Sequence, residues 1–535
     1  MSDTHQIRPI SRRPSWSRPR AMLVSLCAQL VIGSTFAVWA LISDLSVVSK
    51  LERPAAEHAN QDALNALVAG GQNDVAFKTA FAQGNELFET VFNALDGVGA
   101  NVGDGQRFTR VPRADLTRAG EWATHIPPRA TGPNAASCLS CHNTPSDDGA
   151  GSAAANVHRD PFHTARLGQF IQRNTPHLFG LGATQRLAEE MTDTLQSIRD
   201  GAVATTCQTG KPVTVALSAK GVDYGKITVK RNGVAPCMVD TDTSALHGID
   251  ADLIVKPFQW KGSVAFIRAF NRDAANNEIG MQAVELVGHD VDGDGDGVIN
   301  EMTIGDMTSL AIYMAAQARP TTRTELAALG LLPALSKDEV QSINRGSLLF
   351  QKARCIACHL PYLAIKQPIF TEPSQNKHYR DQLFPAGQNP VSLGVNPASA
   401  IAFDLTRDQP DNVIKDAAGN VTFRLGAFQK DTGGGAIVEL FGDLKRHDMG
   451  PDLAESIDEV GTGASVFLTR NLWGVGSTAP YLHDGRATTL VEAVLYHGGD
   501  AADSRAAFLH LPPDAQQDLM AFLKNLVLFR IPGQN

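Results

Sequence analysis

The stretch CLSCH at residues 138–142 recurs as CIACH at residues 355–359. This Cys-x-x-Cys-His spacing is the attachment motif of c-type haem, in which each thiol adds to one vinyl group of the porphyrin and the histidine binds the iron. One match also fits a small zinc site, but two complete matches use four of the seven cysteines. The sequence therefore predicts two covalently bound haems, held by Cys138, Cys141, His142, Cys355, Cys358 and His359.

Length and charge narrow the class of protein. A chain of 535 residues is long enough for two or three domains. Its formal net charge is −9, and it has no tract rich in lysine and arginine. Nucleic-acid binders carry a basic patch that pairs with phosphates, so we expect no nucleic-acid partner.

The N-terminus has the pattern of an export segment. Five arginines in the first twenty residues precede an apolar run from Met22 to Ile42. Two outcomes are open: cleavage after Val38-Trp39-Ala40, or retention as an anchor, which a run of about 20 residues favours. We expect residues 1–45 to be a signal or anchor, the body to be periplasmic, and residues 22–42 to lie in the inner membrane if uncleaved.

Three cysteines lie outside the two motifs. Cys27 falls in the export segment, which leaves Cys207 and Cys237 in an oxidising compartment. These two flank alternating, strand-like stretches at residues 213–217 and 227–229. The pattern predicts a disulfide that closes a β-rich insertion, with two independent buried thiols as the alternative.

Hydrophobic periodicity predicts a mainly α fold with long loops. Apolar residues recur at helical spacing over residues 61–95, Ala183–Arg199, Glu339–Lys352 and Pro513–Leu528. More than two hundred residues separate the two motifs, which favours two cytochrome c-like domains over a tight haem cluster. We predict haem domains at residues 60–200 and 336–535, separated by a β-rich insertion at 201–257 and a connecting region at 258–335.

An acidic loop in the connecting region fits the EF-hand pattern. Carboxylates alternate with glycines over residues 290–301, and carboxylates packed this closely repel one another unless a cation binds. A register that begins at Asp290 ends on Glu301, whereas one that begins at Asp292 ends on Thr303. The loop predicts a calcium site, with a solvated acidic turn as the alternative; its candidate ligands are Asp290, Asp292, Asp294, Asp296 and Glu301.

Several further segments carry a family resemblance. Residues 471–475 read NLWGV and residues 479–493 read APYLHDGRATTLVEA; GPN, RNTP, LFGLG, WKG and HDMG occur at residues 132–134, 173–176, 178–182, 260–262 and 447–450. In this order they resemble the bacterial di-haem cytochrome c peroxidase superfamily. More narrowly, the chain resembles the di-haem oxidoreductase family, described as peroxidases and sometimes labelled thiol oxidoreductases. The resemblance covers roughly residue 85 to the C-terminus.

The resemblance implies that the two haems differ. A methionine shortly before the segment 467–475 binds the electron-entry haem in the peroxidases, so Met449 is the candidate sixth ligand of the second haem, with core packing as the alternative. The first haem has no such partner. Among His158, His163 and His177, the best candidate for a distal ligand or proton shuttle is His163.

Four further residues are candidates for contact with the haems. Arg486 could pair with a haem propionate, and His483 belongs to the same polar turn, which could equally be held only by Asp484 and Gly485. Trp260 and Trp473 are candidates for an aromatic bridge between the haems, although buried packing is the commoner role.

The leading interpretation is an exported di-haem enzyme that reduces hydrogen peroxide. Electrons from a small redox protein or a membrane-linked donor would pass through the second haem to the first. Two alternatives stay open: a non-enzymatic electron-transfer cytochrome, and a di-haem enzyme that oxidises another substrate, because related folds host more than one chemistry.

Overall fold

The computed structural model describes residues 49–99, 133–159, 171–233, 237–293, 296–380, 391–416 and 418–530. The chain divides into two units, Met1–Arg53 and Pro54–Asn535. Only a turn at residues 49–51 is described in the first unit, so the predicted export segment lies outside the described residues. No helix within the described ranges is long and apolar enough to cross a bilayer.

Helices are the most abundant regular structure among the described residues of the second unit. They are α1 (Gln61–Ala69), α2 (Asn73–Glu89), α3 (Leu181–Thr209), α4 (Ile267–Ala274), α5 (Val284–Val287), α6 (Ile304–Ala315), α7 (Arg323–Ala328), α8 (Lys337–Lys352), α9 (Leu490–Leu495), α10 (Ala502–Leu509) and α11 (Pro513–Asn525). A π-turn at Ala275–Ile279 extends α4. Single 3₁₀ turns lie at Ala153–Ala155, Cys355–Ala357, Lys377–Tyr379, Val391–Leu393, Pro397–Ser399, Pro410–Asn412, Pro451–Leu453, Val475–Ser477 and Gly499–Ala501.

The strands are short and antiparallel. They are β1 (Val157–Arg159), β2 (Ile171–Arg173), β3 (Val213–Ala219), β4 (Val222–Arg231), β5 (Val239–Asp242), β6 (Thr321–Thr322), β7 (Leu363–Ile365), β8 (Ile369–Glu372), β9 (Ile401–Asp404), β10 (Val413–Lys415), β11 (Val421–Arg424), β12 (Gln429–Lys430), β13 (Ala436–Val438), β14 (Arg446–Asp448), β15 (Val466–Leu468) and β16 (Leu526–Val527). Within the described residues they pair as β1-β2, β3-β4-β5, β6-β16, β7-β13-β12, β8-β9, β10-β11 and β14-β15.

The predicted mainly α class is only partly right. Among the described residues, 38% are helical and 16% are in strands, so the fold is mixed. Most of the strands have two to four residues, too few to show an alternating pattern, and they form only when distant segments meet. The predicted domain boundaries stay predictions.

The central helices pack closely around α6. All twelve residues of α6 are buried, and α2 crosses it at Gly84. A Cβ at Gly84 would lie 2.2 Å from the carbonyl oxygen of Ser309, so only glycine permits this approach. The helix begins at a capping box between Thr303 and Asp306. The first motif lies against this core, because the Leu139 amide donates to the carbonyl of Phe88 on α2 and the Phe88 ring contacts His142.

A second helix pair presents the second motif. A capping box formed by Ser336 and Glu339 begins α8, which packs on α11 where Gly346 meets the carbonyl of Asp518. After α8 ends, Arg354 adopts a left-handed conformation with φ of 62°. This residue turns the chain directly into residues 355–359.

Two helices end earlier in the structure than predicted, one at a pair of glycines and the other where a strand pairs. The predicted helix at 61–95 is two helices, because Gly70 and Gly71 end α1, and Gly71 has φ of 74°. The helix predicted to reach Leu528 ends at Asn525, because β16 pairs with β6.

The β-rich insertion is a three-stranded sheet joined to α3. The helix runs past its predicted end at Arg199 to Thr209, because Ala202 and Thr206 are buried, and the Thr206 hydroxyl donates to the Val229 carbonyl of β4. The structure joins Cys207 on α3 to Cys237 by a disulfide, with their Cα atoms 5.8 Å apart.

Candidate haem sites

The first motif forms a tight turn beside a cavity. The backbone amides of Cys141 and His142 both donate to the carbonyl of Cys138, at 3.1 Å each. This turn directs both thiols and the imidazole towards one cavity of about 130 Å³, which Cys138, Cys141 and His142 line. The arrangement is the one that c-type attachment requires.

The proximal imidazole of the first motif lies against backbone carbonyls. Its Nδ1 lies 3.1 Å from the carbonyl oxygen of Gly149, and the backbone of Pro176 is a second hydrogen-bonding neighbour of the ring. When Nδ1 donates its proton to Gly149, Nε2 has a lone pair that can bind a metal. Removal from water lowers the pKa of His142 to about 4, so the ring is neutral. A Cβ at Gly149 would lie 2.2 Å from the Thr144 carbonyl, which keeps this position glycine.

The second motif repeats this design. The amide of His359 donates to the carbonyl of Cys355 at 3.0 Å, and His359 Nδ1 lies 3.1 Å from the carbonyl oxygen of Phe441. Desolvation lowers the pKa of His359 to about 4. Cys355, Cys358 and His359 line a second, larger cavity of about 260 Å³.

One wall separates the two cavities. Asn174, Thr175, Pro176 and Trp260 line both of them, and the indole Nε1 of Trp260 donates to the Asn174 carbonyl at 2.9 Å. Trp473 lines only the second cavity and packs on Gly180. Of the two tryptophans named from the sequence, Trp260 therefore has the position of a bridge.

The second cavity holds Met449 and four histidines besides His359. Met449 lies on its wall, and its amide donates to the Ser465 carbonyl at 2.9 Å. His447 Nε2 lies 2.8 Å from an Asp443 carboxylate oxygen; burial opposes protonation, but this hydrogen bond raises the pKa of His447 to about 10. The other three histidines are His177, His483 and His497.

In the predicted polar turn at residues 483–486, the side chains of His483 and Arg486 lie in different places. His483 is buried, lines the second cavity and stacks on Phe467 with centroids 4.3 Å apart. Arg486 Nη2 instead pairs with Asp484 at 2.6 Å, and its Nη1 donates to the Asp452 carbonyl. Arg486 is not among the residues that line either cavity, so its place is that of a residue that holds the turn.

Arg470 is a cavity residue that sequence reasoning missed. Its guanidinium lies 4.8 Å from the Trp260 ring centroid on the wall of the second cavity. In the described part of the chain it meets no carboxylate, and desolvation lowers its pKa to about 10. A cation left without an anion beside a motif of this kind fits a haem propionate, so the residues present suit the cofactor.

The first cavity has a polar wall but lacks a second imidazole. Among its described lining residues, His142 is the sole histidine, and the carboxylates are Asp273 and Glu278. Asp273 accepts from the side-chain amides of Gln259 and Asn277. Glu278 is half-buried, and its Oε2 accepts from Asn134.

The two described histidines that were predicted for this cavity do not line it. His158 is exposed on β1, and His177 Nε2 lies 3.1 Å from the Trp473 carbonyl on the second cavity. His163 lies outside the described residues.

The acidic loop is only partly described, since Asp294 lies outside the described residues. Asp290 and Asn300 exchange two hydrogen bonds of 2.9 Å, Asp292 accepts from Gly297, Asp296 accepts from Val298, and the buried Glu301 accepts from the Gln282 amide. Of the described residues, only Cys358, Asp443 and His447 bring three metal-binding side chains within 4.8 Å of one another. That group adjoins the second motif, whose thiol is needed for haem attachment.

Comparison with known proteins supports the haem assignment. The family model described as "Di-haem oxidoreductase, putative peroxidase" matches residues 419–526, which include Met449, Arg470, His483 and His497. This part of the chain is similar to the di-haem oxidoreductases. The match confirms the resemblance found in the sequence and implies two haems.

Two other comparisons add little to the family match. The solved structure titled "Crystal structure of a MauG-like protein associated with microbial copper homeostasis" is 17% identical to this chain. The match covers 65% of this chain and 88% of the other, with a TM-score of 0.22, a similarity too low to transfer fold or activity. No curated protein matches the chain.

Proposed function

We propose that this di-haem oxidoreductase is a peroxidase that reduces hydrogen peroxide at the first haem with electrons that enter at the second. The observation that carries the proposal is the inequality of the two cavities. The second surrounds His359 with further imidazoles and a thioether, whereas the described wall of the first offers His142 alone as an imidazole. An iron whose sixth position is open can bind a small oxidant, and a six-coordinate iron suits electron transfer.

Each haem would be attached through its two thiols and held by the neutral proximal imidazole, His142 or His359, within a cytochrome c-like domain. The cofactors supply the redox-active iron. The protein orients them through the Gly149 and Phe441 carbonyls that fix the two imidazoles. Arg470 would pair with a propionate of the second haem, where its charge lies against Trp260.

Peroxide reduction also needs a group that moves protons in the first cavity. Two electrons and two protons convert one hydrogen peroxide to two waters, and a positioned carboxyl group can carry a proton between the two oxygens. Asp273 is buried and is held by two side-chain amide donors, Gln259 and Asn277. Glu278 is half-buried and accepts from one side-chain amide, so we propose it as the proton carrier among the described residues, and His163 stays a sequence prediction.

Electrons would cross the shared wall through Trp260. The indole lines both cavities and is fixed by its hydrogen bond to Asn174. An aromatic ring between two redox centres shortens the gap that each electron must cross.

Location, donor and metal complete the proposal. The basic flank and apolar run predict export to the periplasm, with residues 22–42 as an inner-membrane anchor if uncleaved. The donor is then a small redox protein or a membrane-linked carrier. The acidic loop at residues 290–301 is proposed to bind calcium as a structural ion.

The test is peroxide turnover by the protein loaded with both haems, followed as oxidation of a reduced dye. We expect two dye electrons to be consumed for each peroxide. Dye oxidation that does not depend on peroxide, or two haems that never react with it, would contradict the proposal and favour a simple electron carrier.

A further inference from the structure

The second cavity contains a pair of imidazoles with matching surroundings. His359 Nδ1 lies 3.1 Å from the Phe441 carbonyl, and His497 Nδ1 lies 2.8 Å from the Ala493 carbonyl. Both residues line the cavity. Each Nδ1 therefore carries the proton, so each Nε2 keeps a lone pair; within the described residues neither Nε2 has a hydrogen-bond partner. Desolvation lowers the pKa of both rings, which keeps them neutral.

The spacing of these rings fits a metal ion between them. Their centroids lie 6.4 Å apart, with the planes inclined by 48°. Metal–imidazole bonds of ~2 Å on both sides of one ion would separate the centroids by about 6 Å. Phe350 lies at the same centroid distance of 6.4 Å from His359, so the spacing permits a shared metal ion, and the two hydrogen-bonded imidazoles are what distinguish the His359–His497 pair.

The other histidines of the cavity contact other residues. His447 Nε2 is paired with Asp443, and its Nδ1 lies 3.5 Å from an Asp500 carboxylate oxygen. His483 is stacked on Phe467, with Nε2 3.6 Å from Glu455. His177 Nε2 lies against the Trp473 carbonyl, which leaves its buried Nδ1 without a hydrogen-bond partner, but its ring contacts Phe179, whereas the ring of His497 contacts His359.

Met449 lies against the turn that presents His497. A Cβ at Gly498 would lie 2.8 Å from the Met449 carbonyl oxygen, and one at Gly499 would lie 2.1 Å from the Asp448 carbonyl oxygen. Gly499 also has φ of 49°. The two glycines let residues 447–450 pack directly on the turn after α9, which fixes His497 relative to His359.

We propose that His497 is the sixth ligand of the second haem iron, opposite His359, and that Met449 packs the turn which positions it. This inference rests on the two bound haems of the proposed function and names the ligand which that proposal leaves open. Two imidazoles give a lower reduction potential than an imidazole with a thioether. The second haem is then a stronger reductant for the first than methionine ligation would make it.

Absorption and electron paramagnetic resonance spectra of the oxidised holoprotein test the ligand directly. We expect one low-spin iron with two imidazoles and no far-red thioether-to-iron band. Met449→Leu should leave both spectra unchanged. His497→Ala should convert the second haem to high spin, and His497→Met should produce the far-red band and raise the potential.

Covalent haem content and the first-haem spectrum report whether each variant has folded. A far-red band in the unaltered protein, or loss of the low-spin species in Met449→Leu, would overturn the inference. These spectra are independent of peroxide turnover. Thioether ligation with intact turnover would contradict the ligand assignment alone. Two imidazole ligands without turnover would contradict only the proposed function.

Discussion

The imidazole rings of His359 and His497 lie in one cavity with their centroids 6.4 Å apart. His142, the corresponding residue of the first motif, is the sole histidine among the described residues of its own cavity. The two haems therefore have different surroundings although their attachment motifs are the same. In the proposed function, this difference would separate electron entry at the second haem from reaction with peroxide at the first.

Proton transfer in the first cavity is tested by Glu278→Gln. We expect turnover to fall by roughly 10²–10⁴-fold, the usual contribution of a positioned acid or base, because the amide cannot carry the proton. Both haem spectra should be unchanged. Glu86→Gln, an exposed change on α2, is the matched control and should have normal turnover. Equal rates in the two variants would remove Glu278 from the mechanism.

Electron transfer across the shared wall is tested by Trp260→Phe. Rapid reduction of the second haem should still occur, but subsequent oxidation by peroxide bound at the first haem should slow, because the smaller ring leaves a wider gap. Trp473→Phe is the control, since Trp473 lines only the second cavity. Stopped-flow absorption resolves the two steps, and slowing by both variants alike would speak against a specific bridge.

The charge of Arg470 is tested by redox titration of Arg470→Gln. Removal of a cation beside the haem favours the oxidised iron, so the potential of the second haem should fall by ~60 mV, a tenfold change in the one-electron equilibrium. Arg486→Gln should have no such effect, because Arg486 pairs with Asp484 away from the cavity lining. A larger shift in Arg486→Gln would restore it as the propionate partner.

The disulfide of the insertion should contribute to stability rather than to catalysis. Replacement of Cys207 and Cys237 by serine opens a crosslink that spans 30 residues, which should reduce the free energy of unfolding by about 2–4 kcal/mol. Guanidinium denaturation measures this loss, and turnover below the transition should be unchanged. A large loss of turnover in the folded variant would show that the insertion has a direct role in the reaction.

The parts of the site that could be predicted from sequence are those with a fixed local spacing. The Cys-x-x-Cys-His stretches identify both attachment sites, because five consecutive residues contain the whole signature. His497, Arg470 and Glu278 have no such spacing and reach the cavities only through folding. Met449 is a candidate ligand because of its position in the family. Its packing against the Gly498-Gly499 turn could not be predicted from the sequence.

The fold follows the same rule. The long amphipathic helices α3, α8 and α11 were recognisable from periodicity, although their ends were shifted where α3 packs on β4 and where Leu526 and Val527 pair with β6. The short strands depend on partners far along the chain, so no local sequence pattern predicts them.

The central claim is that one haem is open to peroxide and the other is closed. Electron paramagnetic resonance of the oxidised holoprotein, in which both irons are ferric, before and after cyanide is added, tests it most directly. We predict one high-spin iron at the first haem that binds cyanide, with loss of peroxide turnover, while the second haem stays low-spin. Two low-spin irons that react with neither cyanide nor peroxide would contradict the account.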